Sequence, residues 1–203
     1  SLAQALKQIY LRTNEESTVF CTPVEEQKKF LEGYTKPQDD LARSYAQDRC
    51  QCFLQPWWMP MILNAATMIL YPVYQCRLRN RQYKSKLEQR PGIAVLLYTG
   101  EEPIVPDSLR EKFSVTQDMD FQSQMLLTDD DLIYLKTLQR RYPFAFYFRF
   151  KCMLKVAMYR SAVMRYAPQA VICSEEYSFT SSMLTNYCHQ LGVEHLNVMH
   201  GDK

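Results

Sequence analysis

Residues 170–199, "AVICSEEYSFTSSMLTNYCHQLGVEHLNVM", decide the fold of this chain. "AVICS" (170–174) is a short apolar run with β-branched members, the pattern of a strand. "EEYSFTSSMLTNYCHQLG" then spaces Phe179, Met183, Tyr187 and Leu191 four residues apart, which places them on one helix face, and Gly192 supplies a stop. "EHLNVM" (194–199) is a second strand, with Leu196 and Val198 on one face and His195, Asn197 and Met199 on the other. Strand, helix and strand in about thirty residues make a parallel crossover unit.

That unit carries a functional expectation. Parallel neighbours point their carboxyl ends at one sheet edge, and open α/β sheets bind ligands there. Glu175 and Glu176 follow the first strand, and His200 and Gly201 follow the second, so the four are expected close together. An imidazole titrates near neutrality and can take a proton from a hydroxyl nucleophile. Glycine beside it permits a positive φ or a close approach of substrate to backbone. A glutamate next to a helix N-terminus stays ionised in the helix dipole, so it suits accepting hydrogen bonds from substrate hydroxyls or orienting the imidazole. Ser178, Thr180 and Ser181 either cap the helix or hydrogen-bond a polar ligand. His200 is therefore the candidate catalytic base, with Glu175, Glu176, Ser178 and Gly201 as candidate substrate contacts. The plainer alternative is a structural or merely exposed histidine beside ordinary capping residues. His189 and His195 read as structural.

Upstream, "IAVLLY" (93–98) suits a strand buried on both faces, and "SVTQDMD" (114–120) a further strand. "PDSLREKF" between them reads as a short helix. "TDDDLIYLKTLQRRY" has Thr128 as its cap, acids in its first turn and bases in its last, the charge order a helix dipole favours. "PFAFYFRFKCMLKVAMYRSAVMRYAP" follows as a long helix ending before Pro168, its aromatic cluster at 144–150 read as core rather than as a base-stacking platform. "TPVEEQKKFLEGY" and "KPQDDLARSYAQDRC" near the start each carry helix-start signals. The expected fold class is α/β, a Rossmann-like parallel sheet over residues 91–203 with a helical N-terminal extension, residues 1–90, packed on it.

Residues 57–76, "WWMPMILNAATMILYPVYQC", admit three readings: a buried core helix, a membrane-surface segment, or a membrane span. Pro60, Asn64, Thr67, Pro72 and Gln75 interrupt the stretch and favour the first. The basic residues that follow, Arg77, Arg79, Arg81, Lys84 and Lys86, serve either an anionic lipid or substrate or simply a solvated helix end.

Composition narrows the function classes. A net charge of +2 over 203 residues lacks the basic excess of a dedicated nucleic-acid binder. Five glycines form neither GxxxxGK[ST] nor GxGxxG, so neither phosphate-cradling loop is present. No GxSxG elbow occurs. Seven cysteines without a CxxC or Cys/His spacing read as reduced, buried thiols, and no metal site is expected.

The segment "PQAVICSEEYSFTSSMLTNYCHQLGVEHLNVMHG" (168–201) resembles the last βαβ of the N-terminal half of GT-B-type two-domain transferases of cell-surface polysaccharide synthesis. These include glycosyltransferases and teichoic-acid-type glycerophosphotransferases. The matching positions are Pro168 entering the strand, Glu175 or Glu176 after it, and His200-Gly201 closing the next. The resemblance implies that His200 is the base acting on an acceptor hydroxyl and that this half holds a carbohydrate or polyol-phosphate acceptor. It also implies that no cofactor is bound here: the nucleotide-activated donor would sit in a C-terminal domain beyond Lys203, leaving this half inactive alone. The expected setting is cytoplasmic, with room for peripheral contact with the inner face of the membrane. A non-catalytic α/β binding or scaffold module, meeting a protein or membrane surface, is the alternative.

Overall fold

A computed structural model of the chain describes residues 39–54, 56–81, 95–98, 111, 113–117, 125–174 and 178–198. In chain order the elements are α1 (Asp40–Leu54), α2 (Trp58–Arg79), β1 (Val95–Tyr98), β2 (Ser114–Gln117), α3 (Asp129–Arg141), α4 (Phe146–Tyr166), β3 (Ala170–Ser174), α5 (Ser181–Gln190) and β4 (Glu194–Val198). The fold is mixed α/β and mostly helical. The expected helices at 22–34 and 106–113 fall on residues outside those described or without helix among them.

The four strands form one sheet in the order β2-β1-β3-β4, and every neighbouring pair is parallel. β3 and β4 are in register along their whole length, from Ala170 opposite Glu194 to Ser174 opposite Val198. The crossover reading of 170–199 therefore describes the structure. Val171, Cys173 and His195 lie on one face, under α4 and α5, and all three are buried. Ala170 and Ile172 on the opposite face are buried as well, as a strand inside a parallel sheet requires. On β4 the outward Leu196 stays 49% exposed.

Local sequence explains most helix ends. Asp39 Oδ1 accepts the Ala42 N–H at 2.8 Å and opens α1. At α3 the Thr128 side chain accepts from the Asp131 N–H while Asp131 accepts from the Thr128 N–H, a reciprocal capping box. α4 closes on Ala167 in the left-handed conformation, φ 42°, just before Pro168. Gly192, φ 70°, turns the chain from α5 into β4.

The start of α5 is different. Thr180 occupies the N-cap position but its side chain makes no cap hydrogen bond. Instead Ser44, fully buried on α1, accepts the Met183 N–H through Oγ at 2.7 Å. One of the unpaired donors of the first turn of α5 is thus met by a residue 139 positions away. Ser44→Ala leaves that N–H buried without an acceptor. It should lower the unfolding free energy by about 1–2 kcal/mol, read as an earlier urea midpoint at unchanged slope.

The core forms where α3, α4 and α5 meet the sheet, around Leu135, Leu138, Phe148, Met153, Val156, Tyr159, Met183 and Leu184. α1 joins it through Tyr45, whose ring stacks on Tyr142 at 4.2 Å and meets Phe148 edge-on. The aromatic run at 144–150 divides: Phe148 is core, whereas Phe144 is exposed.

The expected buried helix at 57–76 requires correction. α2 does form, over 22 residues, with Pro60 in its first turn and Pro72 inside it. Pro72 cannot donate to the Met68 carbonyl one turn earlier, yet the helix runs on to Arg79. Only Thr67, Tyr71 and Leu78 are buried, while Trp58, Met61, Ile62, Met68, Ile69, Leu70 and Val73 are exposed. Apolar content predicts burial, and here it is mostly surface. Among the described residues no helix is long and apolar enough to cross a membrane, so the span reading of this stretch fails too.

Candidate functional site

The carboxyl edge of the sheet is where β3 and β4 end together, at Ser174 and Val198. Glu175, Glu176, His200 and Gly201 lie outside the described residues. Ser178 is described and half-buried ahead of α5, its Oγ 2.7 Å from Thr180 Oγ1. The Ser181 N–H donates to the Ser178 carbonyl at 3.0 Å, which closes the turn into the helix. Ser178 thus belongs to the segment joining the β3 tip to α5, with its hydroxyl engaged by a neighbour.

Below the edge lies a polar cluster around His195, of which the sequence shows only a structural histidine. Strand alternation turns Cys173 and His195 inward onto α4 and α5. His195 Nδ1 is 2.9 Å from Thr185 Oγ1 on α5, and Nε2 is 3.4 Å from Tyr159 Oη on α4. Tyr159 Oη is also 3.0 Å from Cys173 Sγ, and that sulfur is 3.5 Å from Nε2. One imidazole therefore ties both covering helices to two adjacent strands. It is buried, and its contacts are those of a structural residue in the packing of sheet and helices. His189, the third histidine, is exposed and 3.6 Å from Glu194.

Deeper still, Asp131 is fully buried and receives an unusual number of donors. Arg160 binds it with Nε at 2.9 Å and Nη2 at 2.7 Å from Oδ1. Tyr187 Oη donates to Oδ1 at 2.5 Å, and the Thr128 N–H and hydroxyl both donate to Oδ2 at 2.8 Å. Burial and the neighbouring Asp131 charge push the Tyr187 phenol well above its ordinary value, so it remains a donor. α3, α4 and α5 are locked together by this one carboxylate, which makes the network structural.

Asp48 is the exception among buried acids. Burial raises its pKa from 3.8 to about 6, opposed in part by Arg49. Among the described residues the Cys52 thiol, a weak donor, lies 4.0 Å from Asp48 Oδ1. Because the folded value exceeds the unfolded one, the site favours folding fully below about pH 4 and loses that contribution as pH rises through about 6. Asp48→Asn should therefore raise stability at pH 7 by about 2–3 kcal/mol and flatten the pH dependence between those values. Thermal unfolding from pH 4 to 8 checks this. A variant less stable than the parent at pH 7 would show that the carboxylate has a partner worth more than its burial costs.

Among the described residues no group of three or more His, Cys, Asp or Glu side chains is placed to hold a metal ion. No family model matches the chain, and no curated protein or solved structure does either.

Proposed function

We propose that this chain is the acceptor-side half of a two-domain, GT-B-type transferase of surface polysaccharide synthesis. It moves a glycosyl or glycerophosphoryl group from a nucleotide-activated donor to an acceptor hydroxyl. The observation that carries the proposal is the register of β3 and β4 through their last residues, Ser174 and Val198. β3 and β4 end side by side there, and in this reading the residues that follow them in sequence, Glu175 and Glu176 after one and His200 and Gly201 after the other, serve one acceptor. In this reading His200 takes the proton of the acceptor hydroxyl, the freed oxygen attacks the anomeric carbon or phosphorus of the donor, and the nucleotide leaves. Glu175, Glu176 and Ser178 accept or donate hydrogen bonds to the carbohydrate or polyol-phosphate acceptor, and Gly201 gives it access to the backbone. The donor is held by a second, C-terminal domain, and the reaction takes place on the cytoplasmic side of the membrane.

The outward apolar face of α2 favours a second reading, a non-catalytic α/β module that binds a protein or membrane surface. The two separate in one experiment on the full-length protein. Nucleotide-diphosphate sugars should raise its melting temperature, since a ligand that binds only the folded state stabilises it. Labelled donor should pass to an added polyol or oligosaccharide acceptor. Release of free sugar to water without acceptor would point to a hydrolase. Neither stabilisation nor transfer across the common donors would leave the binding module as the reading.

A further inference from the structure

α2 is amphipathic in the wrong direction for a helix on a water-facing surface. Such a helix turns its polar residues out and its apolar stripe in. Here the polar residues turn in. Asn64 Nδ2 donates to the Pro60 carbonyl at 2.8 Å, and Asn64 Oδ1 accepts the Tyr147 N–H of α4 at 3.1 Å. Thr67 is buried and its hydroxyl donates to the Leu63 carbonyl at 2.6 Å. Tyr71, on the same side, is buried beneath the Arg149 guanidinium, 5.0 Å from its ring centroid.

The opposite side is apolar and open. Trp58, Ile62, Ile69 and Val73 follow the three- and four-residue steps of one helix face, and Ile69 and Val73 are 68% and 60% exposed. Trp57, just before the helix, is 79% exposed. From Trp58 to Cys76 there is no charged residue, a length of roughly 27 Å along the axis. Charge then arrives with one sign. Arg77, Arg79 and Arg81 are exposed at the far end, and the helix carries no acid. Arg79 meets Asp129 of α3 across 3.1 Å, both side chains mostly in solvent.

From this arrangement we infer that α2 is a peripheral membrane-docking helix. Its outward face beds in the interfacial region of an anionic bilayer, and Arg77, Arg79 and Arg81 engage lipid phosphates. The apolar face supplies burial, the tryptophans suit the boundary between headgroups and acyl chains, and the arginines select anionic lipid. A second copy is a poorer occupant, because its α2 brings the same cationic end and no acid to meet it. The inference does not rest on the transferase reading; it needs only this helix.

Trp57 and Trp58 are the two tryptophans of the chain, so its intrinsic emission reports on the proposed contact directly. Vesicles of phosphatidylcholine with about 30% phosphatidylglycerol should shift the emission of the full chain to the blue and carry the protein down on sedimentation. Vesicles of pure phosphatidylcholine should do so far less. The triple variant Ile62→Glu, Ile69→Glu, Val73→Glu changes exposed positions only and should keep the parent's circular dichroism while losing binding by more than about a hundredfold. Replacing Arg77 and Arg81 with Gln should weaken binding by about fivefold for each arginine. Absence of any emission shift with the anionic vesicles overturns the inference, and this readout needs no variant to fold. A concentration-dependent dimer that the glutamate triple dissolves, without vesicle binding by the parent, overturns it in favour of a second copy.

Discussion

Replacing Asp131 with Ala should lower the unfolding free energy by about 3–5 kcal/mol, the cost of breaking a buried ion pair by removing one partner. The size follows from what is left behind. The Arg160 side chain is 13% exposed and makes a bidentate contact with Asp131, so truncation strands a guanidinium in a medium that solvates it poorly. Burial is the largest single influence and opposes the Arg160 charge; the hydrogen bond to Asp131, together with the Asp131 and Tyr187 contributions, outweighs it and holds the pKa above its ordinary value. The Tyr187 hydroxyl and two Thr128 donors lose their acceptor in the same step. Tyr187→Phe removes one donor and leaves the charges paired, so it should cost only about 1–2 kcal/mol. Removing both charges with Asp131→Ala and Arg160→Met should cost less than the sum of the two single changes, because neither ion is then left alone. Urea midpoints at constant slope measure all four. A single Asp131→Ala change costing under about 1 kcal/mol would mean that water reaches the site and the network contributes little.

The contrast with Asp48 shows what sequence could convey about these charges. Both acids lie within helices, and local sequence separates them only in part. Asp131 announces one role through the Thr128 capping pattern, which reads correctly from the chain alone. Its second role, receiving Arg160 and Tyr187, depends on how α4 and α5 cross α3. The Ser44 cap on α5 is illegible for the same reason: its partner is 139 residues distant. The crossover at 170–199 was legible because its signals are local: a short apolar run, a four-residue repeat, a glycine stop. His195 sits with Val171 and Cys173 on the inner face once the register is known, and alternation alone could not say which face of β4 turned inward. α2 failed for a more general reason. Hydrophobicity reports that a surface avoids water, and it is the polar residues Asn64 and Thr67, docked inward, that leave the apolar side of α2 facing out.

Within the proposed transferase, His200→Ala in the full-length protein should lower kcat by about 10²–10⁴-fold, the range a positioned general base contributes. The melting temperature should barely change if the residue acts as the base rather than as part of the scaffold. The pH profile tests the role rather than the presence of the residue. A base works deprotonated, so kcat/KM should rise with pH through about 6.5, the ordinary value of an imidazole, and level off above it. In His200→Ala that limb should vanish, and the residual rate should be nearly flat between about pH 5 and 8. Glu175→Gln and Glu176→Gln sharpen the assignment. A carboxylate beside the imidazole stabilises its protonated form, so removing the orienting glutamate should move the limb to lower pH. Removing a glutamate that only holds the acceptor should raise KM and leave the limb in place. Turnover unchanged by His200→Ala would take the imidazole out of the chemistry. Loss of turnover together with a collapse in melting temperature would instead make His200 part of the scaffold, as His195 is.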